Sequence, residues 1–361
     1  MFVYQCAGPV VGEEPSDALR TLVFMANLAA QETTGSADAS RGITELIDAL
    51  ATPSPTAHTH IFAVTTDPWA GALGDSQFGY PQFSATGDEA EPPAVGWLIV
   101  TQPLADNIHS LDISLVLDAD FQPIPGTPPS DAARELVVDM LGISDDIARR
   151  FGRSVIHLWD QHALGAASPF AATFRDAGYT RALAQTEYVI PARLADLLAR
   201  PDIEVFANTD FPEDLLPGVA ELYTAASLDQ PLGALDIRRA EWDTARLAES
   251  TAHFRALGTE NYHAIATTDT GDVVGISEIW IHEGFSPKVA IQGLTYVRSE
   301  HRHRGLGTAL KSHAHNAALT AHPELARIYT SVADDNTAMI ALNKELGATA
   351  ISHVTAWQKQ V

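Results

Sequence analysis

The chain has 361 residues, 46% of them hydrophobic and 19% charged, with 22 Lys and Arg against 46 Asp and Glu, a formal net charge of −24. That length exceeds one compact core of ordinary size and sets two domains as the expectation. The acidity speaks against a nucleic-acid partner, since phosphate binding needs a basic face, and favours cationic small molecules. Cys6 is the single cysteine, which rules out an internal disulfide and a cysteine-based metal site. The opening MFVYQCAGPVVGEEPSD has no basic region and no sustained apolar run, so a cytoplasmic chain with no membrane partner is expected.

Read in order, strand-like and helix-like patterns follow one another, and the same order occurs twice. In the first half HIFAVTTD (60–67) is a strand entering a turn, and 66–95, rich in Gly, Pro and acids, reads as a long loop. VGWLIVTQ and LDISLVLD are strands, SDAARELVVDML opens a helix, SVIHLWDQ is a further strand, and FRDAGY closes the half. PARLADLLARPD (191–202) gives a short helical pattern stopped by Pro201 and sets a boundary between domains 1–195 and 196–361.

The second half begins with two helical stretches, 210–228 and 239–257, expected to cover the sheet and flank an acceptor pocket. YHAIATTD (262–269), VVGISEIWIHE, IQGLTYVR, the helical GLGTALKSHAHNAALTA, RIYTSVAD and NKELGA then repeat the first order. Each half is expected to be α+β, a mixed, mostly antiparallel sheet flanked by helices.

The segment LTYVRSEHRHRGLGTALK (294–311) runs from a strand through a glycine-bearing loop into a helix. Gly305 and Gly307 let the backbone approach a ligand, the first N–H groups of the helix are unpaired, and Arg298, Arg302, Arg304 and Lys311 face the single acid Glu300. This is a cradle for a pyrophosphate. His301 and His303 lie in the same loop, and His313 and His315 stand two apart on the helix, about 200° around its axis, so no metal site is expected.

The stretch resembles motif A of the GNAT acetyltransferases, with Arg302, Gly305 and Gly307 in its defining positions, and DDNTAMIALNKELGA (334–348) resembles the helix that follows it in that family. The two-domain plan is similar to that of tandem-GNAT proteins, mycothiol synthase among them. The resemblance implies acetyl-CoA as acyl donor and direct transfer to a primary amine. Thr295, Tyr296 and Val297 would hold the pantetheine arm. The amides of Arg302, His303, Arg304, Gly305, Leu306, Gly307 and Thr308 would hold the pyrophosphate, and Asn336 would reach the donor from the opposite wall.

Two departures from the family bear on the chemistry. No carboxylate stands in 292–295, which leaves Glu278 on the preceding strand as the candidate base. Asn343 occupies the position of the usual acid tyrosine, so it is a candidate to hydrogen-bond the sulfur, with Tyr296 the nearest alternative donor. A non-catalytic acyl-CoA-binding module and acetylation of a cysteinyl amino sugar are the alternative functions. In the first half the corresponding loop, QPIPGTPPS, holds four prolines that have no N–H to give, and no Arg or Lys lies between Leu111 and Ala133. That half is expected to be a degenerate copy that binds no acetyl-CoA, and the chain is expected to be a monomer.

Overall fold

The computed structural model describes residues 1–10, 12–40, 42–52, 54–87, 91–195, 200 and 202–361. It separates into two compact units, one of Met1–Thr186, Leu232–Ile237 and Ile351–Val361, the other of Glu187–Pro231 and Arg238–Ala350. The boundary read at 195/196 and the helical pattern around it fall on a stretch in which 196–199 and 201 lie outside the described residues. No helix among the described residues is long and apolar enough to cross a membrane.

Unit 1 contains β1 (Phe2–Cys6), α1 (Asp17–Thr34), α2 (Ile43–Ala51), β2 (Ala57–Thr65), β3 (Leu73–Asp75), β4 (Pro81–Phe83), β5 (Ala94–Pro103), β6 (Ser110–Leu117), α3 (Asp131–Arg150), β7 (Val155–Ala163), α4 (Ala171–Asp176) and most of β8 (Thr180–Pro191). Its strand order is β3-β4-β1-β2-β5-β6-β7, after which comes β14 (Thr349–Gln360), the last strand of the chain. β14 lies antiparallel to β7 from Ser352↔Ala163 to Gln360↔Val155. Alternation along β2 divides the core: Phe62 and Val64 pack with α3 and α4 residues on one face, Ile61 and Ala63 with α1 residues on the other. The stretch 66–95 is more than a loop. It holds β3 and β4, and β4 runs parallel to β1 through Gln5↔Gln82 and Cys6↔Phe83. Three-residue strands flanked by Gly and Pro are too short for alternation to reveal.

Unit 2 contains the end of β8, β9 (Ile203–Ala207), α5 (Leu216–Asp229), α6 (Thr244–Ala256), β10 (Glu260–Thr267), β11 (Val273–Ile281), β12 (Val289–Val297), α7 (Leu306–Ala321), β13 (Arg327–Ala333) and α8 (Thr337–Glu345). β9 through β12 are antiparallel neighbours, and β12 and β13 are parallel. Ala264 and Ala266 of β10 face the α7 side of the core, and Ile265 between them faces α5 and α6. The elements expected from the repeat are present in both units, in the expected order and class.

Candidate functional site

The site of unit 2 begins where two parallel strands part. Among the described residues β12 and β13 pair through Val289↔Arg327, Ala290↔Ile328 and Ile291↔Tyr329, and beyond that point none of them forms a strand on the β13 side of β12. In unit 1 the equivalent pair, β6 and β7, stays together for longer, from Ser110↔Val155 to Ser114↔Trp159, before the last residues of β6 run on without a register partner in β7. β12 also bulges. Ser277 faces Thr295 and Ile279 faces Gln292, so the single residue Glu278 opposes Gly293 and Leu294 together. Past the bulge, the Arg298 N–H donates to Val274 O at 2.9 Å. By antiparallel alternation the amides of Thr295 and Val297 therefore turn away from β11, towards the open side.

The loop after β12 is shaped for an anion. His303 has φ 61° and Gly305 φ 70°, left-handed conformations that turn successive amides towards one side. Gly305 is the N-cap of α7 and no side chain caps that helix, so its first-turn amides remain without intrahelical partners beside the positive end of the dipole. The corresponding helix of unit 1, α3, fills its own N-terminus: Ser130 Oγ accepts the Ala133 N–H at 3.1 Å, and the Arg134 guanidinium donates to Pro129 O.

The four cations of the motif have different fates. Arg298 donates to Val273 O at 3.0 Å and meets Glu221 at 3.3 Å. Arg302 donates through Nε to Val297 O and through Nη2 to Asp229, both at 2.8 Å. Arg304 is exposed on the loop. Lys311 corrects the sequence reading, which counted it with the loop charge: it is 1% exposed in the interior. Its Nζ donates to Asn343 Oδ1 at 2.6 Å. The helical period explains this, because Lys311, His315 and Leu319 form a track beside Leu310, Ala314 and Ala318 and share the buried face.

Glu278 is buried and its carboxylate accepts from the Tyr223 hydroxyl, from Trp280 Nε1 at 3.2 Å and from the Leu294 N–H at 3.0 Å. It thereby pins the bulge. Burial raises its pKa above the ordinary carboxylate value against the opposing effect of those donors, and burial followed by the adjacent carboxylate raises that of Tyr223. His263 lies 3.8 Å from Glu278, donates through Nε2 to Asn261 Oδ1, and is pulled down to about 3 by burial, so it is neutral. Tyr223 on α5 was not singled out in the sequence, where it reads only as one apolar position of a helix.

The remaining expected residues are held by contacts within the protein. The Tyr296 hydroxyl donates to Asp229 Oδ2 at 2.7 Å, and its pKa is raised by burial and by that carboxylate. Its proton is thus committed to a neighbour. Asn336 caps α8, accepting the Met339 N–H at 3.2 Å. Thr295 Oγ1 lies 3.0 Å from Ser277 Oγ, and Thr308 Oγ1 lies 3.4 Å from Glu345. Asn343 is fully buried, with Oδ1 bound to Lys311 and Nδ2 without a partner among the described residues. His313 Nδ1 meets Ala309 O and His315 Nε2 meets Gln292 Oε1, both at 2.8 Å.

Residues 222–348 match the family model described as the acetyltransferase (GNAT) family. Among solved structures, the chain is similar to a tandem GNAT protein from the clavulanic acid biosynthesis pathway, with a TM-score of 0.69 at 21% identity over 99% of this chain and 98% of that one. It is also similar to a GCN5-related N-acetyltransferase from Sphaerobacter thermophilus, with a TM-score of 0.57 at 13% identity over 99% and 95%. No curated protein matches the sequence. Residues 222–348 are thus a GNAT acetyltransferase domain, carried by a chain with the fold of tandem GNAT proteins.

Proposed function

We propose that unit 2 takes acetyl-CoA as acyl donor and transfers the acetyl group directly to a primary amine of a small cationic acceptor. The observation that carries this reading is the uncapped N-terminus of α7 behind His303 and Gly305, standing beside the open edge of β12. Its amides suit a pyrophosphate, and the outward amides of Thr295 and Val297 suit an extended amide-bearing arm and the carbonyl oxygen that becomes anionic during transfer. A side chain on Gly305 would be strained at φ 70°, and a Cβ on Gly307 would come within 3.0 Å of Leu342, so the loop's conformation calls for the first glycine and packing on α8 for the second.

Glu278 is the proposed destination of the amine proton. The amine nitrogen gives its proton to the Tyr223 oxygen as the Tyr223 proton passes to Glu278, whose proton affinity is raised by burial. Unit 1 supports the reading by contrast. With α3 capped by Ser130 and the pairing of β6 with β7 reaching further along the strand than that of β12 with β13, it offers a filled helix terminus and a shorter open stretch, and we assign it no acetyl-CoA. The test is thiol release from acetyl-CoA in the presence of polyamines, aminoglycosides and amino sugars. Release above the uncatalysed rate with one of these amines is expected. Binding of acetyl-CoA with no transfer to any amine would favour a non-catalytic module.

A further inference from the structure

Along α7, three positions one turn apart mark out the length of the open slot. Gly307 ends the anion loop. His315, two turns on, binds Gln292 Oε1, the β12 residue next to Ile291 where β12 and β13 separate. Lys311 lies midway, roughly 6 Å from each along the axis, and so stands beside the unpaired stretch of β12. From α8, Asn343 meets it there at 2.6 Å. An ammonium can only donate, so while Lys311 is charged the Asn343 amide has one orientation: Oδ1 towards Nζ and Nδ2 turned away. That Nδ2 is fully buried and has no partner among the described residues, so it is a donor still to be satisfied by water or a ligand.

We infer that Lys311 is a positioning residue for acyl transfer: it holds Asn343 with its Nδ2–H turned to the sulfur of coenzyme A, and its buried charge favours the departing thiolate. The inference rests on the acetyltransferase reading and adds to it the group that receives the leaving charge. In the step it serves, the amine lone pair forms the C–N bond and the C–S bond breaks with its electron pair on sulfur. The amine proton goes to Tyr223 and Glu278, and the thiolate is held by Asn343 facing Lys311 until water protonates it.

The surroundings of Lys311 fit this role. Its hydrogen-bond partner on α8, Asn343, is uncharged, and on α7 the ionisable neighbour is His315, which burial and Lys311 itself hold down at about 3. No carboxylate among the described residues forms an ion pair with Lys311. Burial lowers its own pKa to about 7, so a thiolate arriving nearby would restore its charge and the two groups would titrate as a coupled pair.

The experiment uses free coenzyme A as probe, so no acceptor is needed. The thiolate absorbance of bound coenzyme A is followed against pH in the intact protein, Lys311→Met and Asn343→Leu, each corrected by its own ligand-free spectrum. Cys6 does not interfere, because burial pushes its thiol up, out of the range. The native protein is expected to lower the thiol pKa below its free value of about 8.5 by about one unit or more, as an opposite charge at close range does. Both variants are expected to bind coenzyme A and to return the thiol towards its free value. Equal thiol titration in all three proteins, or loss of coenzyme A binding in Lys311→Met, would overturn the inference and leave the acetyltransferase reading standing. Failure of the native protein to bind coenzyme A would overturn both.

Discussion

Replacing Lys311 with Met should stabilise the protein at neutral and acid pH. Unfolded, Lys311 keeps its ordinary pKa of 10.5, and folded it titrates at about 7. A tenfold change in proton affinity is worth about 1.4 kcal/mol, so holding the ammonium in the interior costs roughly 5 kcal/mol below pH 7. The folded state binds fewer protons than the unfolded one between pH 7 and 10.5, so native stability rises with pH across that window and the cost disappears above it. Methionine has a similar length, no charge and no such dependence, although its introduction leaves Asn343 Oδ1 without the Lys311 hydrogen bond, a loss of about 1–3 kcal/mol. Scanning calorimetry of both proteins at pH 6 and pH 9.5 reads the difference in the transition assigned to unit 2. The variant should lead by a few kcal/mol at pH 6, and the native protein should recover about 3 kcal/mol relative to it by pH 9.5. A difference that does not change with pH would refute the assignment of a buried, proton-poor amine.

Further predictions concern the surrounding parts. Gly293→Ala places a Cβ inside contact distance of Trp280 Nε1 and Glu278 Oε2, so it should lower stability by about 1–3 kcal/mol and change the tryptophan fluorescence. Asp229→Asn removes the carboxylate bound to Arg302 and Tyr296. It should raise affinity for acetyl-CoA by up to about fivefold, the scale of an exposed ion pair, as read by calorimetric titration. Ser130→Ala removes the cap of α3 and should cost about 1 kcal/mol in thermal unfolding without creating an acetyl-CoA site in unit 1.

The repeat, the element types and the glycine-bearing turn into α7 were legible because they rest on local patterns. Strand alternation at 60–65, the glycines at 305 and 307 and the prolines at 123–129 each act over a few residues. The placement of β14 was not legible: its residues 351–361 belong to unit 1, paired with β7, and nothing local in TAISHVTAWQKQ distinguishes one sheet from another. The setting of Glu278 was half legible. Its candidacy followed from the lack of a carboxylate in 292–295, but its three donors come from α5, β11 and the bulge of β12, and a bulge leaves no mark in composition. Lys311 shows how charge counting misleads. The helical period already placed it beside Leu310 and Ala314, and that signal should have outweighed its nearness in sequence to the arginines.

The central claim, a single donor site in unit 2 built on the α7 terminus, is tested most directly by calorimetric titration with acetyl-CoA of the intact protein and of Gly305→Asp. The substitution puts a negative, L-configured side chain at φ 70° where the anion would sit. One site per chain in the native protein and none in the variant is the predicted result. Two sites per chain would contradict the contrast drawn between α3 and α7, and undiminished binding in the variant would contradict the placement of the anion at the loop.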